Sequence, residues 1–510
     1  MSTEAYSEDA SAKAPPEIPE ELLDPDAVKV VRRLRRAGHQ AYLVGGCVRD
    51  LLLRIRPKDF DVATSAHPNQ VKETFRNSRL IGRRFRLAHV FYTGKIIEVS
   101  TFRANPLDEL QDLPADLLIR HDNVFGSAEE DARRRDFTIN GLFYDIAEGR
   151  VIDYVGGRDD LRARLVRTIG NPDVRMREDP VRILRAIRFA AKCNFEVEPN
   201  TLAAMRTHVH EIPRCAPPRV LEEVLKLLRS GASRRCFELL RAVRALRILL
   251  PPVAAYLERG GPEEAERHLR ALNALDAHVR VGEIPSDAVL LATLLAPLPR
   301  DARAPAPKAA AAEAAPAEKA DEELDRELSA LEESSEEEEA AASERAAEDP
   351  AQAPLPEGAL VEAAELHDER LGGVPAFPAT AEPQAWSLPQ DVVAPDIVLG
   401  EMVRTARLPR RIAERARMIL LAQPILSGER RRRRSSPQAF ARQSYFPEAL
   451  AVFELSVAAT GEGEQQLKKW QQIFAGQDLS QVERDDDHPG RGDVRKRRRR
   501  RGGRGRKRQA

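Results

Sequence analysis

The sequence predicts an α+β protein in which a small mixed sheet is followed by all-helical neck and body domains. Three features predict this class. Short apolar runs that end in glycine near residue 45 indicate strands, and apolar residues at helical spacing dominate from about residue 177 onward. An acidic segment and an Arg-rich terminus then break the pattern, and their composition is typical of disordered chain.

At 510 residues with 42% hydrophobic residues, the chain can form two or three folded domains. Its 81 basic and 81 acidic residues cancel but are segregated into blocks, so the neutral total says nothing about partners. We predict six segments: a disordered leader (1–24), a head that carries the sheet (25–168), a helical neck (169–297), a disordered insert (298–394), a helical body with a basic run (395–484) and a disordered Arg-rich tail (485–510).

The insert and the tail differ in charge and in expected role. The insert is rich in Ala, Pro and Glu and cannot bury enough apolar surface to offset its ordering entropy. The tail reads VRKRRRRRGGRGRKRQA, and such a block is normally a solvated extension. The weakly hydrated guanidinium groups, interspersed with glycine, favour instead a flexible arm that binds phosphate.

Cysteine usage and the N-terminal sequence predict a cytoplasmic protein. No cysteine lies two to four positions from another, as a paired metal-binding motif would require, so free thiols in a reducing compartment are expected. Residues 1–21 contain no apolar h-region, and no stretch approaches about 18 continuous apolar residues. The four cysteines are Cys47, Cys193, Cys215 and Cys236.

The segment AYLVGGCVRDLLLRIRPKDFDVATS begins with a predicted strand, Ala41 to Val44, that ends at Gly45 and Gly46. Apolar residues then recur at helical spacing. Glycines let backbone N–H groups approach an anion, and a helix N-terminus favours negative charge. The strand, the glycine pair and the helix N-terminus together predict a phosphate-binding site, to which Arg49 could add a charged contact.

Asp59 and Asp61 flank Phe60 at the start of a second predicted strand, Phe60 to Ala63. Residues two apart on a strand share a face, and adjacent carboxylates repel each other unless they face water or share cations. Hard oxygen ligands at this spacing suit Mg²⁺ bridging triphosphate oxygens. The alternative is an exposed edge strand whose acids face solvent.

Together, LVGGCVRD and KDFDVAT resemble the nucleotidyltransferase branch that contains bacterial poly(A) polymerases and CCA-adding enzymes. The resemblance implies a nucleotidyltransferase head. The string RRDFTIN looks like a family motif that contributes an acid and contacts the nucleotide sugar. It implies Asp136 as the third catalytic acid, Arg135 near phosphate or ribose, and Asn140 as a supporting hydrogen-bonder. From the residues alone, a basic patch before an ordinary buried segment remains possible.

Glu98 in KIIEVSTFR competes with Asp136 for the role of third carboxylate. A charge in an apolar strand needs a cation, which could be the metals or a buried partner such as Arg103. The expected reaction uses two Mg²⁺ ions with Asp59 and Asp61 as ligands and ATP as substrate. Metal would lower the pKa of the RNA 3′-hydroxyl and stabilise the departing pyrophosphate.

The segment REDPVRILRAIRFAAK begins with Asp179 before Pro180, which predicts a helix N-cap. Arginines recur every third residue beside an apolar stripe, so spacing alone favours a capped amphipathic helix with a basic solvent face. EDPVR resembles the element that reads the incoming base. This resemblance implies base recognition by carboxylate and guanidinium groups, with candidates Glu178, Asp179, Arg182 and Arg185.

Two features favour ATP-only addition over CCA addition. Arg83 and Arg84 in LIGRRFRLAHVFY look like poly(A) polymerases, and the tail, with Arg497, Arg498, Arg499 and Arg500, suits non-specific RNA retention. The expected partners are RNA 3′ ends and ATP, with RNA-decay machinery as a further candidate and no membrane insertion. The alternatives are a CCA-adding enzyme and a non-catalytic RNA-binding protein; the latter predicts loss of the acids, which are present.

The sequence departs from the family pattern at two positions. Arg54 lies where the family usually ends its first helix with glycine, and Gly141 replaces the usual alanine or serine. Neither change removes a chemical group that the expected reaction needs.

Overall fold

The computed structural model describes residues 16–82, 87–104, 124–300, 394–430 and 436–476. It confirms the predicted α+β architecture, with a mixed sheet near the N-terminus followed by helices. The predicted disordered insert and Arg-rich tail lie outside the described residues, apart from residues 298–300 and 394 at the two ends of the insert. Within the described ranges, no helix has the length and apolar character needed to cross a bilayer.

The main sheet has seven strands in the order β3-β4-β5-β2-β1-β6-β7. Its only parallel pair among the described strands joins β2 to β5, and every other neighbouring pair is antiparallel. The strands are β1 (Ala41–Val44), β2 (Asp61–Thr64), β3 (Ser78–Ile81), β4 (Leu87–Tyr92), β5 (Lys95–Thr101), β6 (Leu142–Asp145) and β7 (Arg150–Asp153).

One face of the sheet is covered by the N-terminal helix. Helix α1 (Pro25–Arg36) begins at Asp24, whose side chain accepts hydrogen bonds from the backbone N–H groups of Asp26 and Ala27. This is a capped helix start with proline at the first position. Its buried residues recur at helical spacing and contact β1 and β2: Ala27, Val30, Val31 and Leu34. Two short helices, α2 (Gly46–Leu52) and α3 (Pro68–Thr74), follow β1 and β2.

The opposite face of the sheet carries a smaller core. Phe102 and Phe143 form this core with aliphatic neighbours, and the ring of Tyr42 packs against both at about 6 Å between centroids. Helix α4 (Ala128–Arg134) covers part of this face with its buried alanines. The face remains open toward the start of β2, where Asp61 lies.

The neck and body are helical. The head ends with α5 (Gly157–Ala163) and β8 (Leu165–Val166), and β8 pairs in parallel with β9 (Glu196–Val197) of the neck. The neck contributes α6 (Pro172–Glu178), α7 (Val181–Cys193), α8 (Pro199–His208), α9 (Pro217–Leu228), α10 (Ser233–Ala242), α11 (Leu246–Leu249), α12 (Pro251–Arg259), α13 (Gly261–Arg280) and α14 (Asp287–Leu295). The body contributes α15 (Pro395–Thr405), α16 (Arg410–Leu426), α17 (Pro437–Ala441), α18 (Phe446–Thr460) and α19 (Glu464–Phe474).

The body packs directly on the neck, although about a hundred residues of chain separate them. Helix α18 contacts α13 and α14, and α16 contacts α14, within one continuous hydrophobic core. Glu448 of α18 accepts hydrogen bonds from Ser286, the N-cap of α14, and from Arg415 of α16. The two helical segments therefore stabilise each other, while their boundaries as domains stay predictions.

The predicted leader, residues 1–24, extends too far. Residues 16–24 belong to the folded head, because Ile18 and Leu23 are 1% and 7% exposed within the core. The backbone N–H of Glu17 also donates to the carbonyl oxygen of Gly149 at 2.8 Å. Residues 1–15 lie outside the described ranges. All four cysteines are free, as expected.

Candidate active site

The glycine turn after β1 is where the head brings basic and acidic groups together. Gly45 has φ +74° and ψ −133°, a conformation that a residue with a Cβ adopts only with strain. A Cβ there would lie 2.9 Å from Nη1 of Arg135 and 4.0 Å from Oδ2 of Asp61. The bare turn therefore lets a guanidinium and a carboxylate approach the backbone from one side.

Asp61 begins β2 and is paired in register with Glu98 on the parallel strand β5, so both side chains leave the same face. Asp59 precedes the strand and is exposed. The predicted strand, Phe60 to Ala63, is shifted by one residue from the observed β2. Burial, with smaller contributions from the charges of Glu98 and Asp59, raises the pKa of Asp61 to about 6, and the charge of Arg135 limits the rise.

Glu98 is half-exposed and lies 3.7 Å from Nε2 of the buried His89 on β4. Arg103, the other partner considered for it, is buried, and its backbone N–H donates to Asp131 at 3.1 Å. The register with Asp61 favours Glu98 as the acid that accompanies the Asp59 and Asp61 pair. Sequence reasoning left this choice open because strand pairing cannot be read from local spacing.

The carboxylates of Asp59, Asp61 and Glu98 fit a Mg²⁺ site that the protein completes only together with water and substrate. Among the described residues, no three His, Cys, Asp or Glu side chains come close enough to enclose a metal ion by themselves. Mg²⁺ keeps several waters and usually takes one or two protein carboxylates together with substrate phosphates. A partly buried acid with a raised pKa beside further acids suits that arrangement, because a cation would relieve the repulsion.

Asp136 does not join this acidic group. It is buried, and its Oδ2 accepts from Nε and Nη2 of Arg185 at 2.8 and 2.6 Å. Its Oδ1 accepts from the backbone N–H of Phe137 and from Nδ2 of Asn140 at 3.1 Å. Burial alone would raise its pKa, but the Arg185 charge and these hydrogen bonds lower it to about 2. The structure thus shows Asp136 in an ion pair between head and neck, and its role as the third catalytic acid stays a prediction.

Asn140 links Asp136 to Arg49. Nη1 of Arg49 donates to Oδ1 of Asn140 at 2.6 Å, and Nε and Nη2 donate to Asp50. Arg49 is only 3% exposed and stacks on the ring of Phe189 from the neck. Arg49 therefore supports Asn140, and its guanidinium also lies beside the glycine turn, where a Cβ at Gly46 would be 3.6 Å from Nη2.

Arg135 faces the site from α4. Its Nε and Nη2 donate to Asp131 at 3.2 and 3.0 Å, and its guanidinium lies over the ring of Phe143. The side chain is 22% exposed. Arg135 is the predicted nucleotide contact that the structure places beside both Gly45 and Asp61.

The predicted base-reading residues lie where α6 meets α7, but their pairing differs from the expectation. Asp179 does not cap α7, which starts at Val181 without a side-chain cap. Its carboxylate instead accepts two hydrogen bonds, at 2.9 and 2.6 Å, from Arg219 of α9. Glu178, 1% exposed, accepts from Arg182 at 2.8 Å.

The arginines of α7 do not form a basic solvent face. They pair with buried acids: Arg182 with Glu178, Arg185 with Asp136, and Arg188 with Glu223. Their three-residue spacing places them on one side of the helix. That side faces the protein interior, where each arginine pairs with an acid from another element. Arg83, Arg84 and Arg497 to Arg500, predicted to bind RNA, lie outside the described residues.

Two residues of the site were missed by sequence reasoning. Arg175 donates to Glu178 at 2.6 Å and to backbone carbonyls of the head, and Arg219 holds Asp179. Arg175 stands three positions before Glu178, a helical neighbour spacing that could have indicated the pair. The partner of Asp179 is forty positions away, and no local signal indicates it.

Three family models match the chain. They are described as the poly A polymerase head domain over residues 41–167, the probable RNA and SrmB-binding site of polymerase A over 194–257, and the polymerase A arginine-rich C-terminus over 389–506. The first covers the sheet and the acids, and the third covers the body and most of the tail.

The chain is 48% identical over 265 residues to poly(A) polymerase I of Salmonella typhimurium, which covers 50% of this chain and 56% of that protein. It is 36% identical over 212 residues to a CCA-adding enzyme of Bacillus velezensis, which covers 42% of this chain and 52% of that protein. The matches thus span about half of each relative. The CCA-adding enzyme of Bacillus stearothermophilus, solved with CTP, superposes with TM-score 0.52 at 24% identity over 89% of this chain and 83% of that chain, which shows a shared fold.

Proposed function

Because this chain belongs to the nucleotidyltransferase family that contains bacterial poly(A) polymerases and CCA-adding enzymes, we propose that it transfers AMP from ATP to RNA 3′ ends without a template. The RNA 3′-oxygen attacks the α-phosphorus, a new P–O bond forms, and pyrophosphate leaves. The observation that carries the proposal is the pairing of Asp61 with Glu98 beside the Gly45 turn.

Asp59 and Asp61, with Glu98 beside them, would hold Mg²⁺ together with the substrate phosphates, two ions in the complete reaction. When bound, the metal supplies charge stabilisation at the triphosphate and acidifies the attacking hydroxyl. Without the metal, burial and the negative charges of Glu98 and Asp59 disfavour the ionised form of Asp61. The strands fix the two carboxylates at adjacent registered positions, which pre-organises the site before nucleotide arrives.

The triphosphate would lie against the Gly45–Gly46 turn, with Arg135 as the positive partner. The turn has no Cβ at Gly45, so oxygen atoms can approach the backbone closely. Arg135 is already oriented by Asp131 and Phe143, so little side-chain entropy is lost on binding. Asn140 would support this side of the site through its hydrogen bonds with Arg49 and Asp136.

Adenine would be read by Asp179 and Arg182, with Glu178 fixing Arg182. A carboxylate oxygen accepts from the exocyclic amine, and a guanidinium donates to a ring nitrogen. Arg219 holds Asp179 by two hydrogen bonds and therefore limits the directions in which its carboxylate can accept. Arg182 and Glu178 form a buried pair, and a base that left such buried polar groups without partners would be strongly disfavoured.

RNA would be retained by arginines outside the described residues, Arg83 and Arg84 in the head and Arg497 to Arg500 in the tail. Guanidinium groups bind phosphates without regard to sequence, and their contribution falls as salt rises. A cytoplasmic location and an association with RNA-decay machinery stay predictions of the same proposal.

Nucleotide choice tests the proposal against CCA addition. The purified full chain is given Mg²⁺ with ATP, CTP or both, and two RNAs: an unstructured oligonucleotide and a tRNA that lacks its terminal CCA. Long ladders from ATP alone on the oligonucleotide are expected. Addition that needs both nucleotides and stops after a short defined extension of the tRNA would instead establish a CCA-adding enzyme.

A further inference from the structure

Arg175 is a buried residue of α6 whose guanidinium extends from the neck into the head. Its Nη2 donates to the carbonyl oxygens of Arg134 and Arg135, the latter at 2.6 Å. The chain continues from these carbonyls to Asp136. One guanidinium nitrogen of the neck therefore holds the backbone of the segment that carries Arg135 and Asp136.

The other side of the guanidinium is fixed as well. Nη1 of Arg175 donates to Glu178 at 2.6 Å, and Glu178 also accepts from Arg182. Nε is buried and has no hydrogen-bond partner within the described part of the chain. An unpaired buried N–H costs free energy. The hydrogen bonds to the head carbonyls and to Glu178 therefore set the position of this side chain, although they leave its Nε without a partner.

The electrostatics agree with a tight constraint. Burial and the neighbouring charge of Arg182 lower the pKa of Arg175 to about 10, which still leaves it protonated at neutral pH. A buried cation is retained where its donors have defined acceptors. Here those acceptors are two consecutive backbone carbonyls and one buried carboxylate.

Arg135 is thus fixed at both ends. Arg175 holds its carbonyl, and Asp131 holds its guanidinium beside the Gly45 turn. Asp136, the next residue, is held by Arg185 of the neck. A small shift of the segment would move Arg135 relative to the turn, and misplacement of about 1 Å can cost about 100-fold in rate.

We propose that Arg175 is a positioning residue that fixes Arg135 for nucleotide binding from the neck. The inference rests on the proposed function and adds a structural element to its nucleotide site. Helix α6 would thus have a second role besides carrying Glu178. Through Arg175 it would also align Arg135, which contacts the triphosphate, by hydrogen bonds to the backbone of the head.

The test compares Arg175→Met and Arg175→Lys with Arg415→Met. Arg415 is a matched control, since it also donates to a glutamate, Glu448, and to a backbone carbonyl, that of Ser444, but lies in the body. RNA extension is measured at varied ATP together with thermal unfolding. Arg175→Met should lower kcat/KM for ATP by about 10- to 100-fold, and Arg175→Lys, which keeps the positive charge and one donor nitrogen, by less. Arg415→Met should lower only the unfolding temperature.

A double-mutant cycle with Arg135→Ala separates positioning from general damage. If Arg175 acts through Arg135, the double variant should be no slower than Arg135→Ala alone, whereas independent effects multiply. Multiplied losses, or an equal loss in Arg415→Met, would overturn the positioning role. An inactive wild type would overturn the proposed function with it, whereas an active wild type with an unchanged Arg175→Met variant would overturn the positioning role alone.

Discussion

Asp61 and Glu98 occupy paired positions on the parallel strands β2 and β5, and their carboxylates leave the same face of the sheet. Parallel pairing keeps registered side chains on one side, so two acids distant in sequence become neighbours. Burial, together with the charges of Glu98 and Asp59, raises the pKa of Asp61 to about 6. This region of the head therefore favours a bound cation.

Replacing Glu98 by Gln should raise the Mg²⁺ concentration needed for half-maximal RNA extension by about tenfold or more, because one negative charge beside the metal is lost. The measurement is a magnesium titration at saturating ATP. Glu129→Gln is the matched control, since Glu129 is an exposed head acid that pairs only with Arg133 among the described contacts. Equal magnesium dependence in both variants would remove Glu98 from the metal site.

Asp136 should behave as half of an ion pair. Asp136→Asn is expected to lower the free energy of unfolding by about 2–3 kcal/mol, below the value for a fully buried pair, because the side chain of Arg185 is 34% exposed. Arg185→Met removes the other half. Urea unfolding of the double variant should show a smaller loss than the sum of the single losses. Strict additivity would show that the pair contributes nothing.

Gly141 should not tolerate alanine. A Cβ would lie 2.6 Å from Cγ2 of Val155 and 3.3 Å from Cδ1 of Ile169, so Gly141→Ala should cost about 1–3 kcal/mol of stability. Adding Val155→Ala should restore part of the loss by making room. Gly400→Ala serves as the control, because nothing lies within 4 Å of its Cβ position. A neutral Gly141→Ala would contradict the predicted clash.

His268 should make the stability of the helical region depend on pH. It is 1% exposed beside Phe237 and Tyr256, and neither ring nitrogen has a hydrogen-bond partner among the described residues. Burial lowers its pKa to about 4. The unfolded state takes up the proton below about pH 6.5, so stability falls as pH falls from there toward 4.

From pH 7.5 to 5, His268 should account for a loss of about 2 kcal/mol in the free energy of unfolding. His268→Gln should lack this part of the pH dependence, whereas His210→Gln, at an exposed position, should retain it. Urea unfolding at the two pH values measures the difference. The same slope in all three proteins would show that His268 is not the responsible group.

The local features of the site were predictable from the sequence. The apolar run Ala41–Val44 is a strand as predicted, because Gly45 ends it and a helix follows. Arg54 has φ +60°, so the position where the family usually has glycine does need a left-handed residue. These features depend on neighbouring residues and on backbone stereochemistry, which local sequence encodes.

Pairings between distant elements were not predictable. Asp179 looked like a helix cap, but Arg219 provides two charged hydrogen bonds, which are stronger than a cap to backbone N–H groups. Asp136 was predicted as the third catalytic acid, but its ion pair with Arg185, 49 positions later, has no local signal in the sequence. Ile18 lay in a segment without periodicity, and only the packed head shows that it is buried. In each case the partner comes from another element.

The most direct measurement is extension of an end-labelled RNA by the purified chain with Mg²⁺ and ATP, compared with the double variant Asp59→Ala, Asp61→Ala. Asp159→Ala is the control, because Asp159 is an exposed acid of α5. The proposed function predicts long ladders for the wild type and the control and none for the double variant. Ladders from the double variant, or no extension by the folded wild type, would contradict it.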